Sequence, residues 1–213
     1  MSLRIPLSSP DITEAEIEAV SAVLRTNSLS LGPRLEEFEE SLAAFHRMPQ
    51  AIAMSSGTAA LHLAIRALGI GEGDEVIVPS FTFIAVANAV RYERATPVFV
   101  DIDSITLNMD PSCVSSAITS RTRAIIVVHT FGVPAEMDAL MQLARRHNLA
   151  VIEDACEAIG ATYNGQCVGK NLIEIGRVDI FLFKGRTGYA IEKSGWRCLM
   201  ALTIVWVSSR IQV

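Results

Sequence analysis

Met54-Ser55-Ser56-Gly57-Thr58-Ala59-Ala60-Leu61-His62-Leu63 reads as the end of a short apolar strand, a turn of small residues and the start of a helix. Leu61, Ile65 and Leu68 recur at helical spacing and give that helix one apolar stripe. Ser56, Gly57 and Thr58 stand at its first turn, where backbone N–H groups have no partner inside the helix. Small side chains let an anion come close there, and the helix dipole favours negative charge. Two readings stand for this turn: an ordinary Ser/Thr helix cap, or a cup for a phosphate. What gives the second its weight lies far downstream, in Val151-Ile152-Glu153-Asp154-Ala155.

Outward from the cup the chain alternates strand and helix. Residues 75–79, 97–101, 124–129 and 150–153 read as strands. Helices are expected over about 83–92, from Asp110-Pro111 onward, and over about 135–147. The strands are unbroken apolar runs, Val76-Ile77-Val78 and Ile125-Ile126-Val127-Val128 among them, as strands buried on both faces are. Strand–helix–strand order implies right-handed crossovers, a mainly parallel sheet and helices on both of its faces. The fold class is therefore α/β. Ligands in such sheets sit beyond the carboxyl ends of the strands, where Thr82, His129 and Asp154 stand.

Ahead of this unit, residues 1–10 read as extended, and Asp11 or Thr13 can cap a first helix with Glu14 and Glu16 in its first turn. Ile17, Val20, Val23 and Leu24 share one face of it. A polar turn from Ser28 to Gly32 leads to a second helix from Arg34 to about Phe45, with Leu35, Phe38, Leu42 and Phe45 on one side. Gly69-Ile70-Gly71-Glu72-Gly73 has the look of a dinucleotide fingerprint but precedes a strand instead of following one, so it reads as a helix C-cap and turn. From about Lys170 the alternation stops. The apolar segment Trp196–Val207 is interrupted by Arg197 and too brief for a membrane span, and reads as a strand, buried or at an edge.

The 213 residues suffice for one sizeable core. Half are hydrophobic and 19% charged, which places the chain among globular proteins and away from disordered ones. The net charge of −5, with both signs mixed and no basic stripe, argues against nucleic acid as a partner. The N-terminus shows no secretory apolar core and no uninterrupted apolar run is long enough to cross a membrane. Cys113, Cys156, Cys167 and Cys198 lack metal-site spacing, so no metal is expected, and they read as the reduced thiols of a cytoplasmic protein.

Asp154 ends an apolar strand, where a carboxylate is costly unless paired. It can cap a following helix, or it can bind a protonated ring nitrogen through a charge-assisted hydrogen bond of roughly 1.5–3 kcal/mol. A carboxylate on a pyridinium nitrogen is the device that makes pyridoxal phosphate (PLP) an electron sink. Phosphate cup, carboxylate and a ring-sized gap fit PLP better than a nucleotide. Phe83, just after Pro79-Ser80-Phe81-Thr82, can offer a flat face to the ring or serve as an ordinary core aromatic.

Five blocks in order carry a family resemblance: Ser55–Leu63, Gly73–Phe83, Ala95–Asp101, Val128–Gly132 and Ile152–Ala161. They are similar to the DegT/DnrJ/StrS-type aminotransferases, PLP enzymes of aspartate-aminotransferase fold that aminate keto sugars on nucleotides. The resemblance covers residues about 4–169, and Glu157 brings it nearest to the perosamine-synthase-like branch. It implies that Gly57, Thr58 and Ala59 hold the cofactor phosphate, Phe83 stacks on the ring, Asp154 binds the ring nitrogen and Glu157 lies near the ring hydroxyl. The Ser28–Gly32 turn matches, more loosely, a segment that lines the sugar site. The resemblance further implies a nucleotide-linked 4-keto-6-deoxy sugar as substrate, glutamate as amino donor, a homodimer, and a place in cell-surface polysaccharide or antibiotic sugar biosynthesis.

The family's next motif, Phe-Ser-Phe followed by the lysine that carries the cofactor, is altered. Leu182 stands in the serine's place and Thr187 in the lysine's, while Lys184 is three residues early. Along an extended strand that offset is about 10 Å. Lys184 is nonetheless the candidate catalytic lysine, with Lys193 further off. The expected organisation is a helical segment over 1–50, an incomplete cofactor-binding large domain over 51–169 and a divergent tail over 170–213. The family's small C-terminal domain is expected to be missing through truncation or a frame shift. The competing expectation is a non-catalytic fragment of the fold, or a partner for a full-length relative.

Overall fold

A computed structural model describes residues 12–48, 50–168, 180–184 and 203–205, and of the last two segments the backbone. A seven-stranded sheet forms its centre, in the order β1-β9-β8-β5-β4-β2-β3. The strands are β1 (Ile52–Met54), β2 (Glu75–Pro79), β3 (Thr96–Val100), β4 (Thr122–Val128), β5 (Ala150–Asp154), β8 (Ile180–Lys184) and β9 (Thr203–Val205). A small hairpin, β6 (Thr162–Tyr163) with β7 (Gln166–Cys167), stands apart from it. β3, β2, β4, β5 and β8 are mutually parallel, and β9 runs antiparallel between β8 and β1. The expected α/β architecture is thus present. The tail adds to it: β8 extends the parallel set beside β5, and the apolar segment ending at Val207 supplies β9, which is neither an edge nor parallel.

Each face of the sheet has its own core. α3 (Gly57–Ala67) and α4 (Ala85–Tyr92) cover Val76, Val78, Ala124, Ile126 and Ile152. α5 (Pro111–Ala117) and α6 (Met137–His147) cover Ile77, Ile125, Val127 and Val151 on the other side. The alternation along β2, β4 and β5 deals successive side chains to opposite faces, and both are covered, so every residue of β2 and β5 is buried. Leu61 and Ile65 are fully buried, each stabilising the fold by roughly 1.5–3 kcal/mol, while Leu68 packs against the same cluster half-buried.

The local stop and start signals act as the sequence requires. Gly69 follows the C-cap Leu68 at φ 66°, in the left-handed region that closes a helix. Asp110 caps α5 through Ser112, with Pro111 at the first helical position. Thr13 caps α1 (Glu14–Leu24) in a capping box with Glu16. α2 (Pro33–His46) lays Leu42 against Ala155, Ala158 and Val168. The apolar stripe of α1, by contrast, is only partly covered: Val20 and Val23 are half-buried, while Ile17 is 49% and Leu24 66% exposed. Helical spacing says which residues share a face, and among the described residues no element buries Ile17 or Leu24 on it.

At the end of the sheet away from the strands' carboxyl termini, Glu75 is buried under Arg121 and the Thr119 hydroxyl. The Thr119 hydrogen bond, and then Arg121, hold its carboxyl below the ordinary range. No described helix is long and apolar enough to cross a membrane. Cys113, Cys156 and Cys167 are free thiols, and no cluster of metal-ligating side chains is present among the described residues. Cys198, Lys193, Thr187, Asp11 and residues 1–10 lie outside the described residues.

Candidate active site

A cleft of about 370 Å³ opens at the carboxyl ends of β2, β4 and β5, against the first turn of α3. Gly57, Thr58, Phe83, Asp154 and Glu157, residues far apart in sequence, all line it. The fold brings them together because the cup precedes a helix on the same sheet face as Asp154. Thr58 and Asp154 therefore meet across one opening and not on opposite sides of the sheet.

Asp154 is the last residue of β5 and only 8% exposed. Its Oδ1 accepts the Cys156 N–H at 3.1 Å. Burial pushes its carboxyl up from the usual range; hydrogen bonds from Cys156 work against the rise without cancelling it, and the like charge of Glu157 adds to it. Among the described residues no Lys or Arg forms an ion pair with Asp154. A buried acid that is hard to ionise, facing a cleft, is a site prepared for a cationic partner.

The first turn of α3 is more occupied than the sequence suggests. The Ser56 hydroxyl accepts the Ala59 N–H at 3.1 Å, so both readings of the turn hold in part. Ser56 is a true N-cap, and it takes for itself one of the three N–H groups expected to face a phosphate. Gly57 and Thr58 line the cleft; Ala59 does not. The Ser28–Gly32 turn contributes no residue to the lining.

Phe83 precedes α4 and is 71% exposed, a face held open over the cleft and not a core aromatic. Sequence reading did not single out the second wall. After β4 the chain makes a tight turn at Thr130–Gly132, with Phe131 at φ 52° and Gly132 at φ 84°. Asn108 braces this turn, its Oδ1 accepting the Thr130 N–H and its Nδ2 donating to the Val133 carbonyl. Glu157 Oε2 accepts the Phe131 N–H at 3.2 Å, and Phe131 meets Phe81 edge to face. A Cβ at Gly132 would stand 3.2 Å from the Glu157 carbonyl, so the close approach needs glycine twice over. The signal was present in Phe81-Thr82-Phe83 and Thr130-Phe131-Gly132, but only the fold puts these loops opposite each other.

Lys184 ends β8. In the β5–β8 ladder Asp154 stands opposite Leu182, so the backbone of Lys184 lies two residues beyond that pair, opposite Thr203 of β9.

The sequence profile of the DegT/DnrJ/EryC1/StrS aminotransferase family matches residues 10–187. The chain belongs to that family. It is 48% identical over 167 residues to GDP-perosamine synthase of Caulobacter vibrioides, a match covering 78% of this chain and 45% of that protein. Identity to GDP-perosamine synthase of Escherichia coli O157:H7 is 43% over 192 residues, covering 90% and 52%. Among solved structures, S. venezuelae DesV superposes at a TM-score of 0.81 with 39% identity, over 92% of this chain and 50% of that one. The PLP form of the sugar aminotransferase Spr1654 from Streptococcus pneumoniae gives 0.82 with 31% identity, over 96% and 53%. This chain of sugar-aminotransferase lineage thus spans about half the length of the relatives it matches.

Proposed function

We propose that the chain is the cofactor-binding part of a PLP-dependent aminotransferase acting on a nucleotide-linked 4-keto-6-deoxy sugar, with glutamate as amino donor, in the making of polysaccharide or antibiotic sugars. The single observation that carries the cofactor reading is Asp154: a buried carboxylate with a raised pKa, in one cleft with the first turn of α3. The sugar reading leans on the two perosamine synthases and on Glu157.

When bound, PLP supplies an electron sink in its protonated ring. The chain's own groups have separable tasks. Backbone N–H groups of Gly57 and Thr58, with the Thr58 hydroxyl, bind the phosphate at the positive end of α3. Ala59 joins them only when the Ser56 hydroxyl gives up its N–H. Phe83 covers one face of the ring. Asp154, buried at the end of β5, would keep the proton on the ring nitrogen, because its own charge would be stabilised by that cation. Glu157, anchored on the Phe131 N–H, orients the ring hydroxyl. Lys184 is the candidate amine for moving protons at the substrate carbon. In this reading, residues 1–50 form a helical segment, 51–169 the cofactor-binding body and 170–213 a divergent tail, and the molecule works as a homodimer.

A second reading is favoured by Leu182 and Thr187, which replace the family's serine and lysine: the chain binds the cofactor without turning over, as an inactive fold or as a partner of a longer relative. One experiment separates the two. The chain is mixed with PLP, reduced with borohydride and mapped by peptide mass spectrometry. Label on Lys184 supports the enzyme. Reversible PLP binding with no fixed label supports the second reading, and no binding at all refutes both.

A further inference from the structure

β5 ends in two consecutive acids, and the strand's alternation sends them to opposite faces of the sheet. Asp154 faces the cleft. Glu153 is 1% exposed, and its Oε2 lies 2.9 Å from Nε2 of His129, itself fully buried. His129 Nδ1 accepts the Ala135 N–H at 3.1 Å. The ring proton therefore sits on Nε2 and is donated to Glu153, so the tautomer is fixed from both sides. The main chain of the same histidine reaches Asp154 directly: the His129 N–H donates to the Asp154 carbonyl at 3.1 Å. Residue 129 is thus gripped by β5 through both its ring and its backbone, and by the approach to α6 through its other ring nitrogen. The next two residues, Thr130 and Phe131, line the cleft.

None of the tasks assigned above uses this pair. Burying an acid and an imidazole carries a desolvation cost that apolar residues of similar volume would not. What the pair supplies is placement. A ring-binding carboxylate must hold its direction to within about 0.5 Å, which takes neighbours whose own orientations are locked.

We propose that His129 and Glu153 are a positioning pair that fixes the end of β5 and the turn after β4, and through them the aim of Asp154 at the cofactor ring. The assignment rests on the reading that the cleft holds a pyridoxal-type ring.

Pyridoxamine 5′-phosphate is the probe, because it needs no lysine to bind. Its affinity is measured by titration calorimetry on the full chain, alongside circular dichroism, for Glu153→Gln, Glu153→Leu and His129→Asn. Gln keeps an acceptor for Nε2–H. Leu removes it. Asn keeps an acceptor for the Ala135 N–H but does not reach Glu153. The expected result is affinity within about threefold of the parent for Glu153→Gln, and loss of about tenfold or more for the other two while they remain folded. A pair that only stabilises the fold would lower the melting temperature and leave the affinity of the folded variants unchanged; that result overturns the proposal. So does equal loss in Glu153→Gln and Glu153→Leu. Should a variant not fold, ¹⁵N spectra of the parent decide: His129 protonated at Nδ1 instead of Nε2 refutes the geometry, and protonation at Nε2 with Glu153→Gln binding normally supports it. Failure of the parent itself to bind the probe refutes the cofactor reading and the pair's role together, while the His129 spectrum still reports the geometry alone.

Discussion

Asp154 illustrates how a strand end becomes chemistry. Its carboxylate sits where water is scarce, so its charge is worth most when a cation arrives. Asp154→Asn keeps shape and hydrogen-bonding reach but removes the charge, and pyridoxamine 5′-phosphate affinity is expected to fall about ten- to a hundredfold, the equivalent of one charge-assisted hydrogen bond. Calorimetry on the folded variant checks this; an unchanged affinity would remove Asp154 from the site. This residue was legible in the sequence because an acid closing an apolar run stands out. The Glu153–His129 pair was not, since its partners are 24 positions apart and meet only through the β4–β5 register. A second titrating group gives a stability test. His46 in α2 is 3% exposed, and burial lowers its pKa from 6.5 to about 4. The folded state therefore binds this proton less readily than the unfolded chain does. The resulting stability is complete above about pH 6.5 and is lost as pH falls toward 4, by up to about 3 kcal/mol. Asp154 has the opposite sign, its raised pKa costing stability as pH rises above the ordinary carboxylate range. Comparing denaturant midpoints of the parent and His46→Gln isolates the histidine: the parent's midpoint relative to the variant's should drop between pH 6.5 and 4. A constant difference across that window would show that His46 titrates normally.

At the scale of elements, α3 does two things with one turn. Its stripe of Leu61 and Ile65 anchors it to the sheet, and its first two residues, Gly57 and Thr58, line the cleft. Ser56 serves the helix at the expense of the cup, holding the Ala59 N–H. Ser56→Ala should therefore cost about 1 kcal/mol of stability while leaving pyridoxamine 5′-phosphate affinity intact or improved, since one more N–H becomes available to the phosphate. A melting curve and a titration on the same variant test both halves, and a loss of affinity would mean that the Ser56 hydroxyl itself belongs to the phosphate site. Most elements were legible because buried parallel strands write long apolar runs, and β2 spans 75–79 as its pattern requires. The same logic misses β8, and of β9 it gives the strand but not its antiparallel place between β8 and β1. A five-residue and a three-residue strand carry too few positions to show a period, and their place beside β5 and β1 depends on partners distant in sequence. α1 shows the converse: its stripe is as regular as that of α3, yet a period says which residues share a face and nothing about what covers it.

Among the described residues, two groups of exposed apolar side chains bear on assembly. One is α1 and the turn after it, with Ile17, Leu24, Leu29 and Leu31 exposed. The other is the mouth of the cleft, with Phe81, Phe83 and Phe131. Exposed apolar side chains gathered in this way are candidate association surfaces. Phe81, Phe83 and Phe131 line the cleft, so association at its mouth and ligand binding are expected to be coupled: whatever covers Phe81 and Phe131 also dries the cleft and strengthens every charge interaction within it. Light scattering on the purified chain should give twice the 23.1 kDa monomer mass, and Leu24→Asp with Ile17→Asp should shift it toward the monomer without unfolding it, because neither residue is part of the core. The double variant should also bind pyridoxamine 5′-phosphate more weakly, if the α1 surface belongs to the same interface as the mouth of the cleft. A monodisperse monomer with undiminished affinity would show that the exposed stripe is covered by nothing the site depends on, and would break the link between assembly and the charge chemistry at Asp154.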